Sequence, residues 1–200
     1  MNKRERTAAP KVEKTPSLAQ LEAELQRERY RSRYGRVLRS TVCALVVVAA
    51  AAVLVATLWM PVLQIYGSSM TPSLRDGEIV LSVKDVGPET GEIIAFYYNN
   101  KVLVKRVIGG PGDWIDIDED GNVSLNGQPL EEPYLEEKAL GDCTISLPYQ
   151  VPEGKVFVLG DHRSVSVDSR NAAIGCLAQD QIVGKIVFRV WPLGAFGGIN

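Results

Sequence analysis

The sequence predicts a mainly β fold, an antiparallel β-barrel or sandwich-like domain behind a single N-terminal transmembrane helix. Two patterns carry that expectation. Residues 40–62 run without a charge for 23 positions, and about 20 apolar residues at a rise of about 1.5 Å span a hydrocarbon core of roughly 30 Å. Beyond Pro61, eight short segments rich in Val, Ile, Phe or Tyr alternate with turn dipeptides, and no long helical pattern competes with them. No internal repeat or low-complexity tract is present.

Residues 1–36 form a basic N-terminal segment, expected to be cytoplasmic. Its first sixteen residues are polar and charged, include Pro10 and Pro16, and are expected to be disordered. Residues 17–34 read as a helix capped by Ser17, with Leu18, Leu21 and Leu25 on one side. Residues 1–39 hold eleven Lys/Arg against five Glu, a balance of +6, so the net charge of -2 leaves -8 on the remainder. Because a lipid-soluble stretch follows the basic one, nucleic acid is excluded as a partner. The transmembrane helix is placed at 37–62, with Trp59 near its far end, where an amphipathic ring suits the membrane interface. Arg33, Arg36 and Arg39 flank the near end, so the positive-inside rule puts the N-terminus in the cytoplasm and residues 63–200 outside it. A cleavable signal has an apolar core of roughly 7–15 residues close to the N-terminus. This one is longer and starts at residue 40, which reads as an uncleaved single-pass anchor in the cell membrane.

The expected strands are 63–66, 79–83, 92–98, 102–108, 114–117, 122–125, 156–159 and 182–190. Asp76-Gly77, Gly87-Pro88, Asn99-Asn100, Asp120-Gly121 and Asn126-Gly127 are among the separators, and Asn-Gly and Asp-Gly favour tight hairpins by tolerating positive φ. Cys43 lies within the apolar run, while Cys143 and Cys176 fall on the exported side, where a disulfide is permitted; their pairing is left open. Neither lies in a Cys-x-x-Cys or His-rich context, so no metal site and no cofactor are expected.

Three polar segments carry candidate chemistry. In Tyr66-Gly67-Ser68-Ser69-Met70-Thr71-Pro72, Gly67 allows close backbone approach to a ligand, Pro72 fixes a bend and Met70 offers a flexible apolar contact. An ordinary linker has the same composition. In the segment 102–113, strand alternation places Leu103, Lys105 and Val107 on one face, and Val104 and Arg106 on the other. Burial among aliphatic neighbours disfavours a charged amine; an edge lysine that blunts aggregation is the alternative. The segment 160–170 combines Asp161, His162, Arg163, Ser166, Asp168 and Arg170. It reads either as a solvated loop or as a buried, charge-neutral network of Asp161, Asp168, Arg163 and Arg170. The chain has one histidine, so a Ser-His-Asp triad would have to pass through His162. A Ser-Lys pair needs no imidazole, but it needs a lysine that is neutral at working pH.

In this order, behind an anchor, these segments resemble the bacterial type I signal peptidases, the membrane-bound Ser-Lys endopeptidases of the export pathway. The resemblance covers the span and residues 59–193. Ser69-Met70-Thr71-Pro72 matches the Ser-Met-x-Pro box, Lys105 to Asp113 the Lys-Arg box, and Gly160 to Arg170 the Gly-Asp box. Gly91 to Phe96 is a weaker box with Glu92 where Asp is usual, and Arg189-Val190-Trp191-Pro192-Leu193 closes the pattern. The resemblance implies that Ser69 is the nucleophile and Lys105 the general base. It implies that Ser166 hydrogen-bonds the lysine amine, that Asp161 is the acid beside that serine, and that Asp168 and Arg170 form a structural ion pair. The backbone N–H of Ser69 matches one oxyanion donor. Some members add a hydroxyl two places before the nucleophile; here that place is Gly67, and Ser68 stands one residue too late, so the hole relies on backbone and water. The family usually has Asn or Asp where His162 stands. The endoplasmic-reticulum relatives replace the lysine by histidine, so Lys105 indicates the bacterial type, and the compact domain resembles Gram-positive members.

The implied substrate is the signal peptide of an exported precursor, added as an extended strand between 63–67 and 102–105. Leu63, Ile65, Met70, Leu74, Val80, Leu103 and Val104 match positions lining small apolar pockets for Ala-like residues at the first and third positions before the cut. Membrane lipid is the other implied partner. Three other readings stand beside this one: a Ser-Lys peptidase dedicated to pilin or surface-protein precursors, a relative of the soluble self-cleaving repressors, and an anchored β-domain that only binds peptides. The anchor counts against the second.

Overall fold

The computed structural model describes residues 17–84 and 87–199, so the disorder expected of residues 1–16 lies outside the described residues. Helix α1 runs from Leu18 to Trp59, 42 residues, and joins the charged helix and the apolar span without a break. Ser17 stands at its start, its N–H bonded to Gln20 Oε1 at 3.1 Å, the reciprocal half of a capping box. The helix stops two residues before Pro61, which cannot donate into a helical ladder and biases its predecessor towards extended backbone; Val62 is already in a strand. Among the described residues α1 is the one helix long and apolar enough to cross a membrane, and no part of its apolar window is buried by protein.

The β unit contains strands β1 (Val62–Gln64), β2 (Ile79–Val83), β3 (Ile93–Tyr98), β4 (Lys101–Gly109), β5 (Trp114–Ile117), β6 (Val123–Leu125), β7 (Gln128–Pro129), β8 (Tyr149–Gln150), β9 (Lys155–Leu159), β10 (Leu177–Ala178), β11 (Ile182–Trp191) and β12 (Gly197–Gly198). All eight expected strands are present, and the additional four are two-residue pairings too short to leave a periodic signal. The pairs are antiparallel and form two sheets, β1-β2-β11-β3-β4-β9-β10 with β12 on β11, and β7-β6-β5-β8. Neither sheet closes on itself, so of the two expected architectures the sandwich-like one holds and the barrel does not.

The large sheet is buried on both faces. Ile93 and Ala95 of β3 enter a cluster with Ile65, Met70, Leu74, Val80 and Ile186, while Ile94 and Phe96 point the other way, towards Val107, Val156, Val158 and Leu177. A third cluster, Ile108, Ile115, Ile117, Val123, Val151, Phe157 and Leu159, ties the small sheet to β4 and β9. β4 therefore serves all three. It pairs with β3 from Lys101 to Arg106 but with β9 only from Arg106 onward, which leaves its other edge open along residues 101–105. β1 is likewise an edge strand.

The expected network at 160–170 is buried, but of its four charged residues two pair within the segment and two find partners further away. Arg170 grips Asp168 through Nε and Nη2, both 2.8 Å, with both side chains fully buried. Asp161 pairs instead with Arg106, and Arg163 with Glu132. Breaking a buried pair leaves a lone charge in low dielectric at a cost of about 3–5 kcal/mol. Asp168→Asn is therefore expected to lower the unfolding free energy of the full chain in detergent by about that amount, and Asp168→Asn with Arg170→Met to recover part of it. Urea titration of the three proteins checks this; equal stability of wild type and Asp168→Asn would remove the pair from the scaffold.

Candidate active site

The loop after β1 is set by four contacts. Gly67 takes φ +86°, a region that disfavours L side chains, and its N–H donates to Asp76 Oδ1 at 2.7 Å. Nothing lies within 4 Å of the place a Cβ would occupy there, so the demand for glycine comes from conformation and not from a close neighbour. The Met70 side chain is buried beside Ile65 and Leu74 and pins the loop to the core. Thr71 folds back on Ser68, its N–H and Oγ–H both donating to Ser68 O, at 3.1 and 2.6 Å. From the 160–170 segment, the N–H of His162 donates to Ser69 O at 3.0 Å. The N–H of Ser69 itself donates to no group among the described residues.

β4 delivers Lys105 to this loop. Its side chain sits with Nζ 2.7 Å from Ser69 Oγ, and the residue is only 3 % exposed. Burial pulls the amine down from 10.5 to about 8, outweighing the pull of Asp168 and Asp161 in the opposite direction; Arg170 adds to the depression. Below that value Nζ donates to Oγ; once the amine is neutral the same contact lets the serine hydroxyl donate to nitrogen. His162 does not touch the Ser69 side chain. Its Nδ1 lies 3.1 Å from Thr71 Oγ1 and 3.3 Å from Ser68 O, so the triad geometry is not made.

The segment 160–170 backs the pair. Asp161 is held by Arg106 through Nε at 3.0 Å and Nη2 at 2.8 Å, and the Arg106 guanidinium stacks 3.9 Å over the ring of Tyr134. The Tyr134 hydroxyl donates to Glu132 at 2.8 Å, and burial together with that carboxylate holds its proton far above the usual range. Glu132 and Tyr134 were not singled out from the sequence: each is an ordinary residue in a polar stretch, and only the fold brings Tyr134 under Arg106 and Glu132 onto Arg163. Ser166 is buried against Gly160, where a Cβ would fall 2.1 Å from Ser166 Oγ and 2.5 Å from Ser69 O. The expected hydrogen bond from Ser166 to the lysine amine is not made; Nζ turns to Ser69, and Ser166 Oγ has no partner among the described residues.

Both open strand edges border one cleft of about 90 Å³, lined by Leu63, Gln64, Ile65, Tyr66, Gly67, Ser69, Met70, Val102, Leu103, Val104 and Lys105. Its scale suits small side chains, since pockets for drug-sized ligands run to roughly 300–1,000 Å³. Five of the seven expected pocket residues are in it. Leu74 and Val80 are not: both are fully buried beneath it, in the cluster that holds Ile65 and Met70. Gln64, Tyr66 and Val102 line it without having been expected, and strand numbering either side of the matched positions was the available signal. Among the described residues no group of three or more His, Cys, Asp or Glu is placed to hold a metal ion, and all three cysteines are free.

A family model described as "Signal peptidase, peptidase S26" matches residues 38–191. The chain belongs to this family. A signal peptidase IB of Staphylococcus aureus is 42% identical over 153 residues, covering 66% of this chain and 78% of that protein. A signal peptidase I of Bacillus caldolyticus is 42% identical over 146 residues, covering 65% and 79%. Among solved structures, a signal peptidase I from Enterococcus faecalis has 31% identity and a TM-score of 0.41, covering 50% of this chain and 96% of that one. The peptidase S26 family is one of serine peptidases, as the motif boxes led one to expect, and the relatives here are Gram-positive, as the compact domain did.

Membership and geometry together make the lysine's proton the quantity to measure. For wild-type protein, activity is expected to rise with pH through about 8 and to fall close to tenfold per unit below it; a profile flat down to pH 5 would contradict a neutral-amine base. Stability moves in the same direction. Between about 8 and 10.5 the unfolded lysine holds a proton that the folded one has released, so stability rises with pH across that window and is flat below it. The depression from 10.5 to about 8 corresponds to about 3 kcal/mol. Lys105→Met is therefore expected to exceed wild type in stability most at pH 7 and least at pH 10, read by urea unfolding at both.

Proposed function

We propose that this chain is a membrane-anchored serine endopeptidase that removes signal peptides from exported precursors with a Ser69–Lys105 dyad. The observation that carries the reading is the buried amine 2.7 Å from the serine hydroxyl. Neutral Lys105 takes the hydroxyl proton as Ser69 Oγ attacks the scissile carbonyl. The resulting tetrahedral oxyanion is met by the free N–H of Ser69. Collapse breaks the C–N bond, Lys105 gives its proton to the leaving amine, and an acyl-enzyme remains on Ser69. Lys105 then takes a proton from water as the water oxygen attacks the acyl carbonyl; the C–Oγ bond breaks, Lys105 returns the proton to Ser69 Oγ, and the signal peptide leaves as a carboxylic acid that ionises in solvent.

Two open edges, β1 and residues 101–105 of β4, support entry of an extended peptide between them. Leu63, Ile65, Met70, Leu103 and Val104 shape the pockets for small side chains, and Leu74 and Val80 hold that wall from behind. Asp161, Asp168 and Arg170 position the backing loop, with Ser166 beside it. The remaining parts of the proposal are a cytoplasmic basic segment at 1–36, a single pass at 37–62 with the N-terminus in the cytoplasm, and an extracytoplasmic catalytic domain at 63–200. The charge asymmetry about the apolar run supports that orientation.

Full-length protein in detergent is expected to cut a model precursor directly after an Ala-x-Ala sequence, as read by sequencing the new N-terminus. Ser69→Ala and Lys105→Ala are each expected to reduce kcat/KM by at least about 10³-fold. Cleavage persisting in either variant would reject the dyad.

A further inference from the structure

We propose that Thr71 and His162 are positioning residues for the oxyanion hole, acting on the Ser68 carbonyl to orient and strengthen the Ser69 N–H. This rests on the peptidase reading above. Ser68 C=O and Ser69 N–H are the two ends of one planar peptide unit. Three groups converge on the carbonyl end: the Thr71 N–H at 3.1 Å, the Thr71 hydroxyl at 2.6 Å and His162 Nδ1 at 3.3 Å. Hydrogen bonds to a carbonyl polarise its amide, and the N–H at the other end becomes a better donor. That N–H donates to no group among the described residues. The next carbonyl, Ser69 O, is fixed by the His162 N–H at 3.0 Å, so the unit is clamped from both sides.

The contacts settle where the histidine proton sits. Thr71 Oγ has one hydrogen, and the 2.6 Å contact commits it to Ser68 O. The 3.1 Å contact between Thr71 Oγ1 and Nδ1 then requires the hydrogen on nitrogen. So does the 3.3 Å approach of Nδ1 to the Ser68 carbonyl, where two lone pairs would otherwise face each other. His162 therefore donates from Nδ1, in its neutral and its protonated form alike.

The chain has a reason to invest in this peptide. The place two residues before the nucleophile is Gly67, which brings no hydroxyl, and its φ of +86° disfavours any residue that would. One oxyanion donor is worth about 10²–10³ in kcat. With the side-chain donor missing, the strength of the backbone one matters more.

Four variants test this. Thr71→Val keeps the backbone N–H and the shape but removes the hydroxyl; kcat is expected to fall about tenfold with KM unchanged. Thr71→Ser should recover that loss. At 162, asparagine presents an N–H where Nδ1 stands and glutamine presents one where Nε2 stands. His162→Asn is therefore expected to keep a higher kcat than His162→Gln. A peptide aldehyde gives a separate readout: Ser69 Oγ adds to its carbonyl, the serine proton passes to Lys105, and the adduct carries an oxyanion. Its affinity should weaken about tenfold in Thr71→Val, while the affinity of the matching peptide alcohol, which cannot form the adduct, stays put. Equal weakening of aldehyde and alcohol, an unchanged kcat in Thr71→Val, or indistinguishable asparagine and glutamine variants would each overturn the proposal. Should Thr71→Val fail to fold, the pair at 162 decides. A wild-type protein that does not cleave precursors, or a Ser69→Ala protein that does, points to failure of the peptidase reading instead.

Discussion

An amine kept out of water beside a hydroxyl is the constraint around which this domain is arranged. Folding works against it, because a buried lysine prefers to lose its proton or to leave. The surrounding structure holds it in place from three directions. Pairing with Ile94 of β3 fixes its backbone, Met70 anchors the serine loop, and Gly160 lets the 160–170 segment close to van der Waals distance behind both. A side chain at Gly160 would collide with Ser166 and with the Ser69 carbonyl at once. Small volume at that one position therefore bears directly on where Ser69 stands.

The acids around Lys105 would be expected to keep it charged, yet burial prevails. The reason lies in their partners. Asp168 is held by Arg170, whose own charge lowers the lysine's hold on its proton, and Asp161 is held by Arg106, each through two hydrogen bonds. Glu132 does the same for Arg163. Three fixed ion pairs thus build a polar wall, and desolvation is the largest influence on the lysine's proton affinity. The scaffold's charges and the chemistry are parts of one electrostatic arrangement.

Much of this was legible in the residues. The eight longer strands follow from β-branched and aromatic runs between Gly and Asn turns, and the apolar run from its length alone. Lys105 could be placed on an apolar face by counting in twos. Other features depend on long-range pairing, which local pattern does not encode. The partners of Asp161 and Arg163 are 55 and 31 residues away. Leu74 and Val80 look like pocket residues in one dimension, because an apolar residue beneath a cleft and one lining it read alike. The Ser166–Lys105 bond was expected from family pattern, and the amine bonds Ser69 instead. Closure of the sheet could not be read either, since barrel and sandwich share the same strand periodicity.

The lysine proton itself is the most direct thing to observe. In protein labelled with ¹³C at lysine Cε, the Lys105 resonance is assigned by its absence in Lys105→Arg and followed from pH 5 to 11. A midpoint near 8, well apart from the other lysines, is expected. A midpoint near 10.5, shared with the surface lysines, would mean that the amine is charged at working pH and that Ser69 has no base beside it.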